Sequence, residues 1–181
     1  MTSPVLWYLN RGTGLVLLVL YTVVLVAGIA ATRRRPGPRI WPRFAGQALH
    51  RSLGLLAAAL LVVHATSAVV DTYVDIPWWQ ALVPFGATYH PLYLELGTVT
   101  LDLTLAVIVT ALLRHRLPER VWRAVHLLSY PAWATAVVHT LGIGTDAGEH
   151  WVRIGLYACV AAVVLAAAAR LAPTPVGVGV R

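Results

Sequence analysis

Five long apolar runs, at about residues 6–31, 45–70, 96–113, 121–141 and 152–171, fill most of this chain and leave it few ways to fold. A helix needs roughly 20 mostly apolar residues to cross the hydrocarbon core of a bilayer, where its backbone N–H and C=O groups must bond within the segment. Each run meets that length, so the expected fold is all-α: a polytopic membrane helix bundle with five transmembrane helices. Composition agrees, since 59% of the 181 residues are hydrophobic, only 12% are charged and the mean hydropathy is +0.73, outside the range of a soluble domain. The first run is too long for the apolar core of a signal peptide and is followed directly by arginines, so it reads as a retained helix.

A net charge of +7 on a soluble surface would suggest nucleic acid, but here the arginines collect at the ends of the apolar runs. Twelve of the fourteen lie in residues 33–51, in residues 114–123, or at Arg170 and Arg181; Arg11 and Arg153 are the exceptions. Five of the seven acids, Asp71, Asp75, Glu95, Asp146 and Glu149, occupy the other set of loops. Cytoplasmic loops carry the excess of Arg and Lys, which gives an N-out/C-in orientation in the plasma membrane, with lipid as partner and no nucleic acid. Six tryptophans, Trp7, Trp41, Trp78, Trp79, Trp122 and Trp151, fall near span ends, where an amphipathic ring rests at headgroup depth. The external segment IPWWQALVPF is apolar and aromatic enough to lie on the outer surface and cap the bundle. Residues 1–172 read as one helix bundle and residues 173–181 as a flexible tail. The single cysteine, Cys159, sits inside the last run and reads as a small core residue, with no spacing for a disulfide, a covalent haem or an iron–sulfur cluster.

Four histidines fall inside the apolar runs, where an ionisable side chain is costly and marks a functional site by default. His50 and His64 are fourteen residues apart on the second run; His126 and His139 are thirteen apart on the fourth. At 1.5 Å per residue these separations are about 21 and 20 Å, so the two helices offer histidines at matched heights. Fourteen residues bring His50 and His64 to nearly one side of their helix, whereas thirteen leave His126 and His139 about 140° apart in an ideal helix. Pro131, between them, supplies a reason for the helix to kink or tighten. Two pairs at two heights suit two bis-histidine b-type haems. A zinc or copper site would want its ligands clustered at one height, and a proton relay or transport without haem is the other reading. His90, His115 and His150 lie in loops and read as solvated; His90 or His150 could line an external acceptor site.

A flat macrocycle between helices needs room, which glycine provides. Gly14 and Gly28 match the heights of the outer and inner histidines, and Gly54 lies one turn beyond His50. Propionates seek arginine at the membrane edge: Arg51 and Arg123 are the inner candidates, Arg11 and Arg153 the outer ones. Trp133, midway between His126 and His139, could pack between the two haems or serve as ordinary packing. Asp102, two turns into the third run, could bond a ligand histidine, carry a proton, or be structurally satisfied.

The histidine spacings, with ALHRSLGLLAAALLVVH and WRAVHLLSYPAW around them, resemble the ferric reductase-like transmembrane domain. That family comprises the membrane cores of ferric reductases and NADPH oxidases and the haem subunit of the bacterial methionine sulfoxide reductase system. The resemblance runs over roughly residues 6–171. It implies that His50, His64, His126 and His139 ligate two haem b groups and that electrons cross the membrane through them to an external acceptor. The large members have six spans and carry cytosolic flavin and NAD(P)H domains; this sequence has five runs and no such domain, so a separate reductase subunit or quinol would be the donor. The chain then reads as an electron-transfer subunit of an oxidoreductase. A non-redox membrane scaffold or transporter subunit is the alternative.

Overall fold

A computed structural model describes residues 4–31, 43–72, 74 and 76–172. The arginine-rich loop around Arg33, Arg34, Arg35 and Arg39, and the tail at 173–181, lie outside the described residues. Six α-helices follow in order: α1 (Pro4–Ala31), α2 (Arg43–Val70), α3 (Pro91–Leu112), α4 (Glu119–His126), α5 (Ser129–Ile143) and α6 (His150–Leu171), with a 3₁₀ turn at Trp78–Ala81 between α2 and α3. The described residues contain no strand. Four helices, Pro4–Ala31, Gly46–Val70, Pro91–Leu112 and His150–Leu171, are long and apolar enough to cross a membrane. Many of their large apolar side chains face outward, such as Val16 and Val19 on α1 and Val164 and Leu165 on α6, as expected of helices that are apolar all round.

The fourth apolar run is not one helix. It divides at Leu127–Leu128 into α4 and α5. A proline at 131 has no N–H for the Leu127 carbonyl, and that carbonyl accepts instead from Tyr130 N–H at 3.1 Å; Leu128 N–H likewise bonds Val125 O at 2.9 Å. These i to i−3 bonds, with ψ near −16° and −13° at Leu127 and Leu128, are a tight 3₁₀-like turn. The tightening expected from the thirteen-residue spacing is therefore present, and Pro131 sits in the first turn of α5, where its missing donor costs nothing.

Packing is uneven. α1 lies along α2 and also touches α5 and α6, while α3 lies along α5 and meets α4. Two apolar clusters weld α1, α5 and α6: Leu18 with Val137 and Leu156, and Leu25 with Ile29 and Val163, both leaning on Trp133. Threonines cross-link the helices at mid-depth. Trp133 Nε1–H donates to Thr22 Oγ1 at 2.9 Å, Thr100 and Thr135 share a bond of 2.8 Å, and Tyr21 bonds Thr104. Interhelical bonds of this kind contribute roughly 0.6–1.7 kcal/mol in a membrane bundle.

At the end of the bundle where α2 finishes and α3 starts, here the upper end, the 3₁₀ turn folds back over the helices. Buried Gln80 holds it, donating from Nε2 to Gly86 O at 2.8 Å while its own backbone carbonyl accepts from Thr98 Oγ1 at 2.8 Å. Trp78 and Phe85 are left outward, so the segment forms a cap with an aromatic outer side, as its composition suggests.

Candidate functional site

α2 is not among the closely packed neighbours of α4 or α5. Across the intervening space, four imidazoles meet in two pairs. The ring centres of His64 and His139 stand 6.4 Å apart near the upper end, and those of His50 and His126 stand 6.1 Å apart near the lower end. Both pairings are those expected from matched heights on parallel helices.

The separations carry chemical content. A metal–imidazole bond is ~2.0–2.1 Å and a ring nitrogen lies about 1.1 Å from its ring centre, so two imidazoles on opposite sides of one metal put their centres about 6.3 Å apart. The ring planes stand at 64° in the lower pair and 89° in the upper. Among the described residues no three His, Cys, Asp or Glu side chains gather at one point. Each pair therefore brings two imidazoles together and, among the described residues, falls short of the four ligands a structural zinc site requires.

Outer contacts fix the rings. His64 Nδ1 lies 3.1 Å from Asn10 O, His50 Nδ1 3.1 Å from Val24 O and His139 Nδ1 2.7 Å from Tyr93 O. An Nδ1–H donated to a carbonyl sets the tautomer and leaves the Nε2 lone pair free for a metal. His126 differs: its Nδ1 is buried with no partner among the described residues, as is the indole nitrogen of Trp122, on which the ring stacks at 5.1 Å. Arg114 lies over the Trp122 ring at 4.7 Å.

Glycines cradle three of the rings. A Cβ built on Gly14 would stand 3.1 Å from His64 Cε1, one on Gly28 3.3 Å from His50 Cε1, and one on Gly97 2.6 Å from His139 Nδ1. Gly54 differs, because a Cβ there would meet nothing within 4 Å, so it backs none of the rings. A cavity of about 270 Å³ at the upper end is lined by Gly14, His64, Gly97 and His139 and, at its polar rim, by Arg11 and Asp146. At the upper pair the residues present fit a flat, bis-histidine-ligated macrocycle, with two rings held through Nδ1, glycine behind each and unfilled space beside them; the lower pair matches it in ring separation, with the carbonyl contact and the glycine behind His50 alone.

Other expected residues fall elsewhere. Arg123 is exposed and bonded to Glu119 one turn away, and Arg51 is exposed on α2. Arg11 is bound through two nitrogens to buried Asp146, so it enters the upper cavity rim as half of an ion pair. Trp133 is tied to Thr22 and sits in the α1–α5–α6 core. Asp102 has no hydrogen-bond or ion-pair partner among the described residues. Sequence reasoning missed Gly97, the carbonyls of Asn10, Val24 and Tyr93, and the Trp122–Arg114 stack. Of these only Trp122 had a signal, being four residues before His126 on the same helix face.

Fold and site together define an all-α protein with four helices long and apolar enough to cross a membrane and two histidine pairs formed between helices. The chain belongs to a family described as a domain of unknown function (DUF8596), whose match covers residues 5–146 and so contains all four histidines. No curated protein and no solved structure matches it.

Proposed function

We propose that this chain is a two-haem b-type membrane subunit that carries electrons across the plasma membrane, similar to the ferric reductase-like transmembrane domain. The observation that carries the proposal is the pair of imidazole separations, 6.1 Å for His50–His126 and 6.4 Å for His64–His139, each suited to one axially ligated iron. The chain crosses the membrane five times, N-out/C-in, with α4 and α5 together making the fourth crossing. The lower end, with Arg114, Arg120 and Arg123, then faces the cytoplasm. His50 and His126 hold the inner haem; His64 and His139 hold the outer one. Bound haem supplies the one-electron chemistry. The protein's part is to fix the rings, space the two sites about 20 Å apart along the helices and exclude water. A separate reductase subunit or quinol supplies electrons at the inner side, and an acceptor removes them outside.

Single substitutions test the pairing. In reduced-minus-oxidised spectra, His64→Ala and His139→Ala are expected to perturb the same component, and His50→Ala and His126→Ala the other. A shared component between His50→Ala and His139→Ala would overturn the pairing. Haem retained at two per chain in a variant with all four histidines replaced would instead favour a scaffold or transporter with haem bound elsewhere or incidentally.

A further inference from the structure

Three of the four imidazoles are held from behind by a backbone carbonyl, and one is not. His50, His64 and His139 lie inside α2 and α5 with Nδ1 at 2.7–3.1 Å from a main-chain oxygen. His126 is the last residue of α4, immediately before the Leu127–Leu128 turn, and its buried Nδ1 has no acceptor among the described residues. The contacts it does have are to ring faces. It stacks on Trp122 with an interplanar angle of 23°, and Trp122 carries the Arg114 guanidinium over its own ring. Stacking restrains tilt; it does not pin the ring against sliding along the metal axis, and it adds nothing to the basicity of Nε2.

From this contrast we infer that His126 is the exchangeable donor of the four, so that the inner site opens to a small neutral ligand such as carbon monoxide while the outer site stays closed. The inference rests on the two-haem reading. A hydrogen-bonded partner behind a ligating histidine is typically worth 10–100-fold in metal affinity, through ring orientation and ligand basicity. His126 lacks that contribution, and its position at a helix end lets it withdraw without displacing α5. The two ends of the molecule thus differ in kind: the His64–His139 pair is anchored on both sides and glycine-backed on both sides, and the His50–His126 pair on one side only. The exchange breaks one iron–nitrogen bond and forms one iron–carbon bond. The imidazole leaves as a neutral base, and no oxidation state changes.

The test uses the full-length protein in detergent after its haem content has been counted, which keeps failure of the two-haem reading separate: absence of b haem at that stage overturns both. Carbon monoxide is then added to the dithionite-reduced protein. About half of the haem absorbance is expected to shift, with a rate that levels off as carbon monoxide is raised, because release of His126 becomes limiting. His126→Ala is expected to bind carbon monoxide at the same fraction of haem but without the plateau in rate, since no imidazole has to leave, and His139→Ala to add the second haem to the reactive fraction. No reaction in the wild-type protein, reaction of both haems, or a reactive fraction that disappears in His64→Ala would overturn the inference. The saturating rate is read on the wild-type chain, so the outcome stands even if a variant fails to fold.

Discussion

Gly97 on α3 faces His139 on α5 so closely that a methyl group at 97 would stand 2.6 Å from the imidazole Nδ1. The same approach lets Nδ1 reach the Tyr93 carbonyl at 2.7 Å. Neighbouring Gly142 repeats the arrangement, since a Cβ there would land on the Tyr93 ring. Gly97→Ala is expected to cost about 1–3 kcal/mol through overpacking, and, by turning His139 aside, to perturb the same haem spectral component as His139→Ala. Gly155→Ala, where an added Cβ meets nothing within 4 Å, is the control and is expected to be neutral or slightly stabilising. Thermal unfolding and haem spectra on both variants read the difference.

Arg11 and Asp146 tie the start of α1 to the turn after α5, at the rim of the upper cavity. Asp146 is 5% exposed while the Arg11 side chain is 32% exposed. Removing one partner of a fully buried pair costs ~3–5 kcal/mol, and the partial exposure of the guanidinium reduces this to about 2 kcal/mol. Asp146→Ala is expected to destabilise by that amount, and Arg11→Met combined with Asp146→Leu to recover most of it. Equal loss in the single and double variants would mean that the pair does not act as a pair.

The histidine pairing was legible because helix geometry is rigid: rise per residue gives the two helices matched spacings, and their parallel direction, two crossings apart, puts His50 with His126 and His64 with His139. Gly14 and Gly28 were legible for the same reason, matching the histidines in height on the neighbouring helix. The thirteen-residue spacing also announced the tight turn at Leu127–Leu128, since no regular helix brings His126 and His139 to one side. Gly97 was not legible. Its meaning depends on the rotation of α3 against α5, which side-chain packing sets and spacing does not. The carbonyls that hold Nδ1 were hidden for a deeper reason, because every residue has one and only the fold selects Asn10, Val24 and Tyr93. The ion pairs of the propionate candidates Arg11 and Arg123 were not foreseen, that of Arg11 because its partner Asp146 is distant in sequence and that of Arg123 because Glu119, one turn away, reads in the sequence only as a loop charge.

Trp133 donates to Thr22 and packs in both apolar clusters, a structural position. Trp133→Phe keeps most of the ring and loses the bond, at a cost of about 1 kcal/mol. Haem content and spectra are expected to be unchanged. Loss of haem in a folded Trp133→Phe protein would place the indole at the site instead.

Asp102 lies at the middle of α3 without a hydrogen-bond or ion-pair partner among the described residues. An aspartate at the centre of a span costs ~2.5–3.5 kcal/mol on insertion scales, where leucine gains ~0.3–0.6. Asp102→Leu is therefore expected to raise the melting temperature of the purified protein in detergent. A fall, with loss of activity or of an associated subunit, would show that the carboxyl is in use.

The central claim is that the two histidine pairs hold two haems, and the most direct measurement is a haem count on the purified, folded chain by pyridine haemochrome assay against protein concentration. Two b-type haems per chain is the expected result, falling to one when both histidines of either pair are replaced. Fewer than one haem per chain in a monodisperse preparation would contradict it.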